Sequence, residues 1–414
     1  MVKGGQKRVV PASGNQKKLT KWLGLLLCLM AGSVWSQTTA DLDAEQKKLD
    51  DEWQEQFWVY LETSKYPHFR TRAAIRLIRT GDPKAIEEGE LLINEVLDEL
   101  SPDPASLWVL ASGCPVRGST EWCEPGGVYE LLEKADPHNA AVYVLRFNHN
   151  SSEDDSLLDT EANRQLLYKA AKADHFDFYW GRGTDKLYEE ALKFIDIHPM
   201  QFTPESEEML LKFNMTPKMA AFYTAASVFV TASNMSWAQL VELCRLQSRN
   251  RRTEGIIACK KLGDTLRNRG YSMMTRGIGY ALEKAMLTEL DPHDPGIRQW
   301  QIRGYIFSVM QMCFLPYWQV NMEIQSDAIE PSIKRWVKNI SELGEWEGTR
   351  QTAFQDYSIS PEHFVVNPAA CDSLKDLNDE AMERFINNQG PGEAWRAMQD
   401  EARSNQTQVT ITTE

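Results

Sequence analysis

Apolar residues along this chain return mostly every third or fourth position, the spacing of one face of a helix. In "DEWQEQFWVYLETSK", Trp53, Phe57, Tyr60 and Leu61 form such a stripe. "RTRAAIRLIRTGDPKAIEEGELLINEVLDEL" reads as two helices broken at Gly81-Asp82-Pro83. Glycine ends the first, and Asp-Pro starts the second as N-cap and first helical residue. The pattern predicts further helices near 126–135, 138–148, 161–173, 184–197, 204–213, 217–232, 236–248, 253–269, 272–290 and 296–314. Others are expected at 318–343, 373–388 and 391–403. No run alternates as half-buried strands do. The expected fold class is all-α, an α-α superhelix or solenoid of stacked antiparallel helix pairs. "MAAFYTAASVFVTA", 219–232, is the most apolar internal stretch. It is short and contains Thr and Ser, so it reads as a buried core helix and not a membrane span.

Two stretches depart from this background. "DHFDFYWGRGTDK", 174–186, gathers Phe176, Phe178, Tyr179 and Trp180 ahead of Gly181-Arg182-Gly183. Aromatic residues with arginine are the usual anchors of a binding surface, which makes Phe176, Phe178, Tyr179, Trp180 and Arg182 the candidate binding residues. His175, Asp177 and Arg182 are candidates for a polar site in a pocket. The plainer expectation is that the aromatics wedge between helix pairs and the glycines make the turn. "GEWEGTRQTAFQDYSISPEHFVVNPAACD", 344–372, reads as a long, weakly helical aromatic segment crossing a concave face or capping the array.

The N-terminus changes the compartment expected. Lys3, Lys7, Arg8, Lys17, Lys18 and Lys21 precede the apolar run "WLGLLLCLMAGSV", and no acidic residue lies among them. That run is shorter than the roughly 20 residues a bilayer needs, and Val34 and Ser36 follow as small residues. Residues 1–36 thus read as a secretory signal peptide, 37–403 as the helical repeat domain and 404–414 as a flexible polar tail. Leu27 before Cys28 is too large for a lipoprotein attachment site. Loss of the six basic residues leaves 39 Lys and Arg against 59 Asp and Glu, a balance of −20. Such a surface repels nucleic acid and anionic lipid, and it favours solubility. The localisation expected is periplasmic or secreted, with no membrane span once the signal is removed.

Seven cysteines less Cys28 leave six, an even number in an exported chain, which favours disulfides. Cys114 and Cys123 bracket the Gly/Pro-containing loop "PVRGSTEW". "SWAQLVELC" puts Trp237, Leu240, Val241 and Cys244 on one stripe, and "EGIIACKKLGDTL" puts Ile256, Cys259, Leu262 and Leu266 on another. The polar "SRNRRT" between them reads as the turn of a hairpin, and the midpoint of 244 and 259 falls inside it. Cys244 and Cys259 should therefore lie side by side and bond, given close helix approach at Ala258 and Gly255. Cys313 and Cys371 pair by elimination.

Catalytic signatures are sparse. The seven histidines form no His-Glu-x-x-His, and no Cys-x-x-Cys pair, phosphate-binding glycine loop or Gly-x-Ser-x-Gly elbow occurs. No metal site or cofactor is expected. Gly277-x-Gly279 has no strand before it and reads as a helix packing contact. Glu205, Glu207 and Glu208 read as a solvated first turn. "ADPHNA", 135–140, and "LDPHDP", 290–295, each sit between helices. Proline cannot continue the preceding helix and Asp caps the next, which leaves His138 and His293 in exposed turns.

"LLEKADPHNAAVYVL" and "TELDPHDPGIRQW" resemble the junction between tetratricopeptide repeats, where Asp-Pro ends one repeat and an aromatic follows in the next helix. Tyr143 lies where that aromatic would. Pro137 and Pro292 are not a whole number of roughly 34-residue periods apart, so the chain is similar to a degenerate tetratricopeptide-like or Sel1-like array. "CKKLGDTLRNRGYSMMTRGIGYAL", 259–282, is similar to a stretch of uncharacterised secreted helical proteins of Gram-negative bacteria. The repeat likeness implies an envelope scaffold that binds a protein or peptide partner on a curved surface, while the second likeness implies no known activity. The rival class is an enzyme on a helical scaffold, acting on cell-wall or other glycans through Asp/Glu acid–base chemistry. A purely structural envelope component is the third. The mature chain is expected to begin near Gln37. N-terminal sequencing of the native protein tests this, and an intact Met1 in a cytosolic fraction overturns it.

Overall fold

The computed structural model describes residues 44–98, 103–114, 123, 127–151, 158–212, 215–221, 223, 237–315, 326–364 and 367–376. The signal segment, Cys28, the polar tail, the end of the expected 373–388 helix and all of 391–403 lie outside them, as does most of 219–232. Among the described residues the fold is all-helical. The first part comprises α1 (Ala44–Glu62), α2 (Pro67–Arg79), α3 (Pro83–Leu97), α4 (Pro104–Gly113), α5 (Val128–Ala135), α6 (Ala140–Ser151) and α7 (Glu161–Ala170). Then come α8 (Thr184–Ile197), α9 (Pro204–Lys212), α10 (Trp237–Arg249), α11 (Thr253–Arg269), α12 (Met273–Leu290) and α13 (Gly296–Phe314). The last are α14 (Ser326–Leu343), α15 (Glu345–Ile359) and the short α16 (Pro368–Asp372).

Local chemistry sets many of the starts. Asp82 accepts hydrogen bonds from the Lys84 and Ala85 amides, with Pro83 in the first turn. Asp103-Pro104 and Asn367-Pro368 repeat the device. Thr160 and Ser272 cap α7 and α12 through their hydroxyls. At the first Asp-Pro-His joint the Tyr143 hydroxyl donates to the Pro137 carbonyl at 2.9 Å. His138 is exposed at this joint, and His293 at the second one.

Buried side chains form two cores. One is built around Trp108, Tyr129, Leu132, Phe176, Tyr179 and the Cys244–Cys259 pair. The other surrounds Phe57, Phe69, Phe194, Phe307, Phe314 and Trp346. The chain alternates between them: α1 lies on the second, α3–α7 on the first, α8 on the second, α10 and α11 on the first, and α13–α16 on the second. Helices adjacent in sequence pack together, as in α2–α3, α6–α7, α11–α12 and α14–α15. Others meet across long sequence distances, as in α8–α14, α7–α11 and α6–α10. At the outer end the Trp53 indole donates to the His198 carbonyl at 2.8 Å, and Gln46 accepts from the Thr203 amide at 2.8 Å.

Gly279 shows why α11 and α12 pack so closely. A Cβ there would stand 2.7 Å from the Arg267 nitrogen and 2.8 Å from the Gly263 oxygen. Gly279 is thus the packing contact of the Gly277-x-Gly279 pair, whereas a Cβ at Gly277 would meet only Phe307 Cε1 at 3.9 Å. The 344–372 segment differs from its sequence reading: α15 occupies Glu345–Ile359, followed by a 3-10 turn at Pro361–His363 and α16. Its buried stripe is Trp346, Thr349, Thr352, Ala353 and Asp356, mostly polar or small, so its hydropathy does not rise and fall with the helix period. Those groups are satisfied across α14. Asn339 donates to Thr352 Oγ1 at 2.8 Å, the Trp336 indole to Thr349 Oγ1 at 3.0 Å, and Arg335 to Asp356 at 2.6 Å.

The six cysteines pair as expected, with Cα separations of 5.5 Å for Cys114–Cys123, 5.8 Å for Cys244–Cys259 and 6.1 Å for Cys313–Cys371. The α10–α11 hairpin turns at Arg251, whose φ is +51°. Sequence separations of 58, 15 and 9 residues rank the loops closed. Chain entropy then assigns about 4, 3 and 2.7 kcal/mol to Cys313–Cys371, Cys244–Cys259 and Cys114–Cys123 respectively. Paired alanine replacements, followed by denaturant titration, should show the largest loss for Cys313/Cys371. The reverse order would contradict the ranking.

Candidate functional site

Four connections between helices are tied in series by backbone hydrogen bonds. The α5–α6 joint meets the α7–α8 connection where the Ala140 amide donates to the His175 carbonyl at 2.8 Å and the Asp174 amide to the His138 carbonyl at 2.9 Å. That connection meets the α11–α12 joint where Phe176 N–H donates to the Arg269 carbonyl at 3.3 Å and Tyr271 N–H to the Phe176 carbonyl at 3.1 Å. Tyr271 in turn accepts at its carbonyl from the Trp346 amide of α15 at 3.0 Å. Residues 174–177 therefore run as a short extended piece with a partner on each side.

Asn139 fixes this seam. It is fully buried, and its amide group pairs with the backbone of Asp177 as a strand neighbour would. Its Nδ2 donates to the Asp177 carbonyl at 2.6 Å and its Oδ1 accepts from the Asp177 amide at 2.9 Å. The same Oδ1 caps α6 through the Ala141 amide at 3.1 Å. Tyr179 is held in the left-handed region, with φ of +59°, a conformation costly for a bulky residue. Asp177 Oδ1 accepts from its amide at 2.7 Å, and its hydroxyl donates to Asp136 while accepting from Asn139. Burial raises the Asp136 pKa, but hydrogen bonds from His175 and Tyr179 outweigh it and hold the carboxyl below its usual value.

The seam decides which aromatics are presented. Phe176 packs in the core against Trp237 with ring centroids 5.4 Å apart, and Tyr179 against Trp108 at 5.7 Å. Phe178 is buried but lines a cleft, together with Trp180 and Arg182, which remain partly exposed. The cleft has a volume of about 250 Å³, and Asp177, Ser272 and Glu345 complete the part that matters chemically. His175 does not join it. The imidazole Nε2 lies 3.6 Å from Asp136 and the ring stands edge-on to Tyr271. Of the polar trio suggested by sequence, only Asp177 and Arg182 come together.

Two buried carboxyls meet at this cleft. Burial pushes the Asp177 pKa up against the opposing pull of Arg182, whose Nε sits 3.1 Å from Oδ2, and of the Tyr179 amide. Arg182 also lies over the Tyr179 ring, 5.0 Å from its centroid, with its side chain 45% exposed. Glu345 Oε2 accepts from the Met273 amide at 3.0 Å and so caps α12 from a distance, beside Ser272. Its burial pushes the pKa from the usual 4.5 up to about 7. The cleft thus offers a cation on a fixed stem, an indole, and a carboxyl able to change charge near neutrality. Among the described residues no cluster of three or more His, Cys, Asp or Glu is placed to hold a metal ion. Glu345, Ser272 and Tyr271 were not singled out by the sequence, because each looks ordinary in its own segment.

No protein-family model matches the chain, and no curated protein or solved structure does either.

The Glu345 pKa is higher folded than unfolded. Its contribution is full below about pH 4.5 and is lost as pH rises through about 7, on the order of 3 kcal/mol at the limit. Glu345→Gln keeps an oxygen for the Met273 amide and removes the buried charge. The variant should equal the wild type in acid and exceed it in thermal stability above pH 7. Parallel stability curves across pH 4–8 would show that the group is not buried in this way.

Proposed function

We propose that the protein is an exported helical scaffold that holds a protein or peptide partner at the seam cleft. The observation that carries this reading is the presentation of Trp180 and Arg182. They stand partly exposed a few residues beyond 174–177, whose backbone is hydrogen-bonded on both sides, so little ordering of their root remains to be done on binding. Export is supported by three disulfides, which persist in oxidising compartments. Among the described residues no helix is long and apolar enough to cross a membrane. We read the helix pairs as a tetratricopeptide-like superhelix folded back on itself. Sequential packing of α2–α3, α6–α7, α11–α12 and α14–α15 supports the array, and the α8–α14 contact supports its return.

A specific observation also favours the enzyme reading. Glu345, with a pKa near 7, shares one cleft with Asp177 and could act as proton donor to a glycan beside a second carboxylate. The two readings separate in one experiment. Immobilised mature protein is incubated with envelope extract, and the retained proteins are compared by mass spectrometry with those on Trp180→Ala/Arg182→Ala. The scaffold reading expects a specific retained partner that the double variant loses at least tenfold, while Lys84→Ala on exposed α3 keeps it. Identical retention by all three overturns it. Release of soluble sugar from cell-wall glycan, abolished by Glu345→Gln, would establish the enzyme instead.

A further inference from the structure

The seam cleft is left with unmatched negative charge once its pairs are taken out. Arg182 is the one cation among its lining residues, and Asp177 already meets it, with Nε 3.1 Å from Oδ2. Two further carboxyls line the same cleft, Glu342 near the end of α14 and Glu345 at the start of α15. Glu342 is exposed, and no described cation or donor pairs with it. Glu345 is only 9% exposed. Its Oε2 takes the Met273 amide, and no described donor reaches its other oxygen. Trp180, partly exposed between them and Arg182, has no described ring or hydrogen-bond partner.

A carboxylate without a counter-ion beside an open indole is a place for a cation. Glu345 decides which kind. With one oxygen committed to Met273, it offers no two-oxygen edge to the fork of a guanidinium, whereas an ammonium needs a single acceptor. A divalent metal needs more ligands, and among the described residues no group of three or more His, Cys, Asp or Glu is placed to supply them. The volume of about 250 Å³ falls below the roughly 300–1,000 Å³ of small-molecule sites and suits one side chain. The net charge of −14 draws a basic partner toward the chain.

We propose that the cleft receives a lysine side chain of the partner, its ammonium at Glu342 and Glu345 and its methylene stem along Trp180. This inference rests on the reading of the cleft as a partner site. It makes binding depend on the charge of Glu345. Asp177 and Arg182 face that carboxyl from the connecting segment, Glu342 from α14 and Tyr271 from the α11–α12 joint. His175 turns to Asp136 instead, and Arg276 lies over Trp346 in a separate groove of about 750 Å³. Glu345 ionises as pH rises through about 7, while a lysine ammonium stays charged to about pH 10. Affinity should therefore rise between pH 6 and 8.

The test is isothermal titration of the full mature protein with a capped pentapeptide holding one lysine between glycines. Millimolar or tighter binding is expected at pH 8, weakening as salt is raised and about fivefold weaker at pH 6. Glu342→Gln/Glu345→Gln should raise the dissociation constant at least tenfold and remove the pH dependence, with the helical circular-dichroism signal retained. Glu87→Gln, on exposed α3, should leave the constant within twofold. Equal affinity for the peptide with its lysine acetylated would overturn the proposal. Tighter binding of the arginine peptide would overturn it in favour of a guanidinium, and tighter binding of spermidine in favour of a free polyamine. No binding of the lysine peptide at millimolar concentration would also overturn it, while the scaffold reading would still stand or fall on the partner retained from envelope extract.

Discussion

The buried amide of Asn139 does the work of a strand that is not there. An extended segment inside a helical protein has backbone donors and acceptors with no partner of its own, and leaving them unmet costs about 1–3 kcal/mol each. Asn139 meets both backbone groups of Asp177 at once, and the Arg269 carbonyl and the Tyr271 amide meet those of Phe176. From that anchoring follow the left-handed Tyr179, the burial of Phe176, and the outward placement of Trp180 and Arg182. The same seam joins helices from separate parts of the chain, so the two hydrophobic cores are held in register by polar contacts between them.

Polar groups also shape the C-terminal part. The α14–α15 interface buries Ser332, Asn339, Thr349, Thr352 and Asp356, each with a hydrogen-bond partner. Such a network contributes little net stability compared with an apolar interface of the same size. Its cost when half satisfied is high, and that favours one register over its neighbours. The N-terminus of α15 benefits from this precision. It delivers Glu345 to the cleft and Trp346 with Glu347 to a separate, larger groove.

The two hollows differ in kind. The smaller is polar, with one arginine, the exposed Glu342 and two buried carboxyls whose pKa burial raises. The larger is lined by arginines laid on aromatic rings, with Arg267 paired to Asp264 and Arg350 to Glu347 and Asp372.

Much of this architecture was legible locally. Asp82-Pro83, the Tyr143 joint and the Arg251 turn depend on residues a few positions apart, and backbone sterics and capping act at that range. The hairpin placed Cys244 beside Cys259 because equal distances from a turn become neighbours in space. Helix α15 was not legible, since its buried face is polar and its partners lie on α14. Nor was the cleft. Asp177 and Glu345 are brought together by hydrogen bonds among four separate connections, and nothing in either local sequence encodes that meeting. The aromatic run at 176–180 could be seen as a unit in the sequence. Which of its rings went inward was decided by tertiary structure, because Asn139, the Arg269 carbonyl and the Tyr271 amide, all distant in sequence, set the path of the backbone that carries them.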